Sequence, residues 1–138
     1  MVFVIISILT ALVLIPFSDF RNSQILDSEA KVVESFISEA RSKTLASQND
    51  NHFGVYFESD RVVLFAGDTY DELDPENKEW TLSEAVSLSV SGLSNDQVIF
   101  SRLTGKASQA GSVTVSLVSD VSQSKTVNIS SAGILYIE

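Results

Sequence analysis

The first fifteen residues form an uninterrupted apolar stretch. Residues 1–15 carry no charge, and Ser7 and Thr10 are their polar side chains. Both hydroxyls can bond to a carbonyl one turn earlier, so a helix in lipid tolerates them. A spanning helix needs roughly 20 apolar residues, and this stretch is shorter. We favour a membrane helix whose beginning precedes Met1. The alternatives are a cleavable signal, which needs a basic start and a small-residue cleavage site, and a buried helix, which protein would have to surround.

Beyond Pro16 the pattern becomes that of an amphipathic helix. Ser18 or Asp19 can cap a new helical start, and neither glycine nor proline occurs up to Gln48. Apolar positions recur at offsets of three and four, which places them on one helical face. The face consists of Leu26, Ala30, Val33, Ile37, Ala40 and Thr44, widened by Phe36. The other faces carry Asp27, Glu29, Lys31, Glu34, Glu39, Arg41 and Lys43. Residues 1–17 and 18–48 thus predict two halves of a helix about 70 Å long.

Residues 53–138 have the pattern of a β domain. Short runs rich in β-branched and aromatic residues alternate with turn residues; they span 53–58, 61–66, 85–90, 97–101, 112–118, 126–130 and 134–137. The first two flank Ser59-Asp60 as a hairpin, and the last two flank a turn that contains Gly133. Strands this close, without intervening helices, pair antiparallel. The predicted fold class is α+β, with the amphipathic half of the helix packed on an antiparallel sheet.

Composition excludes several functional classes. The net charge of −9 disfavours binding to nucleic acid or anionic lipid headgroups, because both are polyanions. The absence of cysteine excludes a disulfide framework, a thiolate metal site and a cysteine nucleophile. His52 is the one histidine, so one chain cannot form a multi-histidine metal site. No nucleophile and base pair can be assembled from these residue types, so an enzyme is not predicted.

The N-terminal pattern resembles the type IV pilin and type II secretion pseudopilin superfamily. In that family a basic leader ending in glycine precedes Phe-Thr-Leu-x-Glu-Leu and an apolar helix, and residues 1–17 match the helix after the glutamate. Pro16 lies where many pilins have a helix-kinking proline, so the resemblance implies a kink there. The leader glycine and the glutamate are absent, and about six further residues would complete a bilayer span. The resemblance assigns the membrane and filament-core role to Val2, Phe3, Val4, Ile5, Ile6, Ile8, Leu9, Leu12, Val13, Leu14 and Ile15.

The C-terminal part is similar to H-type minor pseudopilins and FimT-type minor pilins. The similarity is carried by residues 40–44, by the apolar strand and glycine turn of 98–105, and by the closing runs 125–130 and 133–136. Some FimT-type pilins bind DNA through a basic C-terminal tail. Here the last stretch offers Lys125 against Asp120 and Glu138. A phosphate-binding surface needs clustered Lys and Arg, so no nucleic-acid partner is predicted.

An acidic segment, residues 67–84, is the main candidate for another site. Calcium prefers several carboxylate oxygens from one loop, and some pilins and pseudopilins bind calcium in their β region. Asp68, Asp71 and Asp74 are therefore weak calcium candidates, although the EF-hand pattern is absent. Otherwise the segment is a solvated loop, anchored to the sheet by Trp80 and Leu82. We predict no cofactor.

Together these features favour a structural subunit of a type IV pilus or a secretion pseudopilus. Its expected partners are copies of itself or other pilins, bound through the N-terminal helix, together with the pilus or secretion machinery. The subunit would wait in the bacterial inner membrane and then enter an extracellular or periplasmic filament, because packed helices and lipid tails are similarly apolar. The alternative is a membrane-tethered extracytoplasmic binding domain that does not polymerise. Asn128-Ile129-Ser130 fits the glycosylation sequon but lies in a predicted strand, so we interpret it as a chance match.

Overall fold

The structure is a computed structural model that describes residues 2–138, with the side chains of residues 3–6 and 19–138. One helix, α1 (Val2–Leu45), precedes eight strands. Within the described residues, no stretch of helix combines the length and apolarity needed to cross a membrane.

The helix α1 is continuous through Pro16, although an interior proline removes one backbone hydrogen bond. The expected new helical start at Ser18 or Asp19 is therefore wrong, whereas a bend at Pro16 stays a prediction. The helix ends at Leu45, three residues before the predicted limit. Ser47 there takes a left-handed conformation with φ 50°, and its N–H donates to the Thr44 carbonyl at 3.0 Å. A short 3-10 helix, Gln48–Asp50, follows.

The strands form two four-stranded antiparallel sheets. The first sheet has the order β3-β2-β1-β5 and consists of β1 (Phe53–Phe57), β2 (Arg61–Ala66), β3 (Lys78–Thr81) and β5 (Gln97–Ile99). The second has the order β4-β6-β7-β8 and consists of β4 (Val86–Ser91), β6 (Gly111–Leu117), β7 (Ser124–Ile129) and β8 (Leu135–Ile137). The predicted α+β class with antiparallel pairing is confirmed.

The predicted N-terminal hairpin is confirmed in its register. Phe57 lies opposite Val62, and the Glu58 N–H donates to the Arg61 carbonyl at 2.9 Å across the turn. Strand β3 was not predicted, because its residues are all exposed and it lies inside the acidic segment. At the β1–β2 turn, the Leu88 N–H donates to the Ser59 carbonyl at 2.9 Å, which connects the two sheets.

One hydrophobic core joins the helix to both sheets. The helix contacts β1 and β2 of the first sheet and β6, β7 and β8 of the second. Buried core residues alternate with polar residues along the strands, as in β6, where Val113, Val115 and Leu117 are buried. Gly54 allows β1 to approach β5, since a Cβ there would lie 2.7 Å from the Val98 carbonyl oxygen. The C-terminal half of α1 thus packs against both sheets.

Candidate assembly surfaces

The buried face of α1 is the surface that attaches the helix to the β domain. The five residues assigned to helix–sheet packing are at most 5% exposed: Leu26, Ala30, Val33, Ile37 and Ala40. Phe36 is buried beside them. At this degree of burial each large side chain stabilises the packing by about 1.5–3 kcal/mol. The second half of the helix is therefore part of the domain core.

Glu29 interrupts this apolar face with a buried carboxylate. Sequence periodicity placed it among the outward-facing charged residues, and that placement is wrong because its side chain is turned toward β3. The Trp80 indole N–H donates to Glu29 Oε2 at 3.2 Å, and the Ser83 backbone N–H donates to Oε1 at 3.0 Å. A buried carboxylate is tolerated when hydrogen bonds replace its hydration. Leu82 is buried between these two donors, so the C-terminal end of the acidic segment is attached to the helix as well as to the sheet.

The C-terminal end of α1 is fixed by hydrogen bonds to the start of β1 and to the β5–β6 loop. The Phe53 N–H donates to the buried Thr44 hydroxyl at 3.0 Å, which ties the helix to the start of β1. The Arg41 Nε donates to the Gly105 carbonyl at 3.0 Å. The turn at Gly133, with φ 82°, packs on the same carbonyl, and a Cβ there would overlap it. Helix, β5–β6 loop and β7–β8 turn therefore meet at one point.

The N-terminal part of α1 presents apolar side chains to solvent. Phe3, Val4, Ile5 and Ile6 are 54–83% exposed, and Phe20 is 63% exposed. Consecutive exposed apolar side chains, as in residues 3–6, are typical of an interaction site for protein or membrane. The remaining predicted filament-core side chains lie outside those that the structure describes, as does that of the predicted kink residue: Val2, Ile8, Leu9, Leu12, Val13, Leu14, Ile15 and Pro16.

Arg61 is the centre of an ion-pair cluster that includes two carboxylates of the acidic segment. The Arg61 guanidinium binds the carboxylates of Glu58, Glu72 and Glu79, with Nη1 3.0 Å from Glu79 Oε2. The hydrogen bond from Arg61 holds the pKa of the Glu58 carboxyl below its usual value, and the same hydrogen bond raises the pKa of Arg61. Burial raises the pKa of Tyr70, whose ring stacks on Tyr56 with centroids 4.2 Å apart.

The calcium candidates are used in turns and are not brought together. Leu73 N–H donates to Asp71 Oδ1 and Glu76 N–H donates to Asp74 Oδ1, each at 2.9 Å. Asp68 Oδ1 lies 3.8 Å from the His52 Nδ1. Among the described residues, no three acidic or histidine side chains are grouped so that they could hold a metal ion.

A groove of about 340 Å³ lies where β1 approaches β4. Its ionisable lining residues are Tyr56, Glu58 and Asp96, accompanied by Ser59, and Glu58 already binds Arg61. Acid–base catalysis needs a base within hydrogen-bond reach of the group that it deprotonates. Ser59 here presents its carbonyl to Leu88. The groove is therefore a gap between the two sheets.

The geometry defines a class of protein in which the C-terminal half of a long helix is packed on a two-sheet antiparallel β domain. No family model matches the sequence, and no curated protein sequence matches it significantly. Solved structures do match. The minor pseudopilin EpsH from the type 2 secretion system of Vibrio cholerae is 15% identical, with a TM-score of 0.63 over 82% of this chain and 95% of that one. The type IV minor pilin FimU of Pseudomonas aeruginosa is 14% identical, with a TM-score of 0.67 over 86% of this chain and 92% of that one.

The chain therefore has the fold of minor pilins and pseudopilins. This confirms, at the level of the fold, the predicted helix packed on antiparallel strands. The likeness covers nearly the whole length of both relatives.

Proposed function

We propose that the chain is a structural subunit of a type IV pilus or a type II secretion pseudopilus. The observation that carries the proposal is the contrast between the docked C-terminal half of α1 and the exposed apolar side chains that the structure describes nearer its N-terminus. Val4, Ile5 and Phe20 are 61%, 56% and 63% exposed, whereas Val33 and Ile37 are fully buried. A folded domain that keeps such a surface requires lipid or other helices to cover it.

In this proposal the N-terminal half of α1 lies in the inner membrane and then moves into a bundle of pilin helices. The β domain, acidic and already complete in its core, forms the outer surface of the filament. The subunit is a building part and carries out no catalysis. The fold shared with FimU and EpsH supports this assignment, since those proteins are a minor pilin and a minor pseudopilin.

The test compares a charge in the apolar half with the same charge on the β domain. Ile5→Lys introduces an ammonium where the proposal has lipid or packed helices, so it should remove the chain from sheared filaments. Val121→Lys, at a position 75% exposed on the β domain, is the matched control and should leave filament recruitment unchanged. Immunoblots of filament and membrane fractions provide the measurement.

Two results would overturn the proposal. One is a chain that remains in the membrane fraction and never enters filaments, which would favour the tethered, non-polymerising binding domain. The other is equal recruitment of both lysine variants. Mass spectrometry of the N-terminus of the native protein adds an independent check, because prepilin processing would leave an N-methylated Phe with a Glu close behind.

A further inference from the structure

A second apolar surface, which we call the end patch, lies beyond the C-terminal end of α1. It consists of Leu45, Leu103 and Ile134, which are 40%, 86% and 62% exposed. They come from three segments that meet at one point. The Leu45 methyl groups pack on Gly105, two residues from Leu103, and the Gly105 carbonyl packs on Gly133, which precedes Ile134. This surface is distinct from the N-terminal half of the helix.

Backbone hydrogen bonds close the loop that carries Leu103. The Gly105 N–H donates to the Ser101 carbonyl at 2.9 Å, and the Ser101 N–H donates to the Lys106 carbonyl at 2.8 Å. Leu103 has φ 71°, a left-handed conformation that is strained for leucine. Because the loop is already ordered, a partner would lose little conformational freedom in binding it.

The end patch is bordered by cations in a chain whose net charge is −9. Arg41 and Arg102 lie beside it, and Lys106 is in the same loop. Arg102 pairs with Asp50, whose side chain is 91% exposed, so that pair is weak and screened by water. Among the described residues, neither Arg41 nor Lys106 has an acidic side chain within 4.0 Å. The surface therefore favours an apolar side chain surrounded by carboxylates.

The chain itself presents such a group, which we call the acidic knob: Leu73 with Asp71, Glu72, Asp74 and Glu76. Leu73 is 89% exposed at the tip of the acidic segment. Turn hydrogen bonds order the knob, since the Asp74 N–H donates to the Asp71 carbonyl at 3.2 Å and the Asn77 amide donates to the same carbonyl at 2.7 Å.

The knob and the patch lie at opposite edges of the first sheet. The acidic knob precedes β3, the outermost strand at one edge, and the loop of Leu103 follows β5, the outermost strand at the other. We propose that the end patch binds the acidic knob of a second copy of this chain. Because the two surfaces differ, the contact is head-to-tail, and its repetition produces an open chain or a ring rather than a closed dimer.

Cysteine cross-linking tests this contact directly, because the chain has no cysteine of its own. Full-length Leu73→Cys and Leu103→Cys chains carrying different tags are mixed in detergent micelles and oxidised. We expect one disulfide-linked dimer that contains both tags, and a ladder of higher oligomers from the double variant. Leu73→Cys mixed with Val121→Cys is the matched control, since Val121 is 75% exposed but outside the patch.

Charge reversal identifies the interaction that orients the contact. Lys106→Glu should lower the cross-linking yield about fivefold, because it places like charges across the interface. Glu76→Lys in the other chain should restore the yield. Unchanged Trp80 emission verifies that each variant is folded.

Three results would overturn the proposal: a mixed yield no higher than that of the Val121→Cys control, a product dominated by Leu103→Cys paired with itself, or cross-linking of Leu103→Cys in membranes to a different protein alone. The contact is proposed between subunits of the proposed filament, but the cross-linking test does not depend on the Ile5→Lys result. If the chain enters filaments and the mixed disulfide does not form, only this contact is rejected.

Discussion

Glu29 provides the sharpest test of how the helix is fixed to the β domain. Glu29→Ala removes the acceptor of two hydrogen bonds, from the Trp80 indole and from the Ser83 backbone. The indole is 45% exposed and can bond to water instead. The Ser83 N–H is partly buried, so leaving it without an acceptor accounts for most of the destabilisation.

The expected cost follows from these two groups. A hydrogen bond to a charged partner contributes about 1.5–3 kcal/mol, and the gain in helix propensity from alanine offsets up to about 0.7 kcal/mol. We therefore expect the free energy of unfolding to fall by about 2 kcal/mol. For a domain of this size the melting temperature should fall by roughly 6–10 °C.

Urea unfolding followed by circular dichroism measures the loss, and tryptophan emission adds a local reading because Trp80 is the sole tryptophan. Glu29→Gln keeps one acceptor but sets its amide against a second donor, so it should cost about half as much. Glu34→Ala, elsewhere on the same helix, should change stability by at most about 0.5 kcal/mol. If Glu29→Ala also changes the free energy of unfolding by at most about 0.5 kcal/mol and leaves Trp80 emission unchanged, the role given to Glu29 is refuted.

Three further variants test other contacts of the helix and its surroundings. Gly133→Ala should destabilise the domain by more than about 2 kcal/mol in urea unfolding, because its Cβ would overlap the Gly105 carbonyl and its φ of 82° strains alanine. Ile37→Ala should cost about 2–5 kcal/mol in the same assay, since it leaves a cavity between helix and sheets. Lys78→Gln should lower stability at pH 7 by at most about 1 kcal/mol, since this ion pair is exposed to solvent. The hydrogen bond from Lys78 lowers the pKa of Glu39, so that contribution is present above the ordinary pKa of 4.5 and disappears as the pH falls through the folded-state value.

Each of these variants has a control or a contrary result. Gly67→Ala shares a positive φ of 110° but has open space around its Cβ, so a loss equal to that of Gly133→Ala would argue against the overlap. Ser38→Ala, exposed beside Ile37, should be nearly neutral. A stability difference between Lys78→Gln and the parent chain that is as large at pH 3 as at pH 7 would contradict the assigned ion pair, because Glu39 is then protonated.

Periodicity predicted the buried face of α1 and most strands because burial repeats along each element. The apolar face from Leu26 to Ala40 and the hairpin around Ser59 follow directly from spacing. The burial of Glu29 does not follow from spacing, since its carboxylate is held by two specific hydrogen-bond donors. Strand β3 does not follow from spacing either, since it pairs through its backbone while all four of its side chains are exposed. The assignment of β4 and β5 to different sheets depends on packing that no local pattern records.

The N-terminal part of the sequence indicated an interaction surface, whereas the end patch could not be predicted. Leu103 and Ile134 are ordinary loop residues in the sequence, and only the meeting of Gly105 with Gly133 places them together. The turn contacts of Asp71 and Asp74 were not predictable for a related reason, because each side chain accepts a hydrogen bond from a backbone N–H of its own turn.

The packing of α1 against both sheets has a mechanical consequence. A force applied to the N-terminal part of the helix acts along its axis, parallel to the buried face. The contacts from Leu26 to Thr44 would then have to slide together instead of peeling apart one by one, and the links through Glu29 and Thr44 resist that sliding at both ends of the face. Since the same helix contacts both sheets, the tension is divided between them, and the β domain resists extraction as one body.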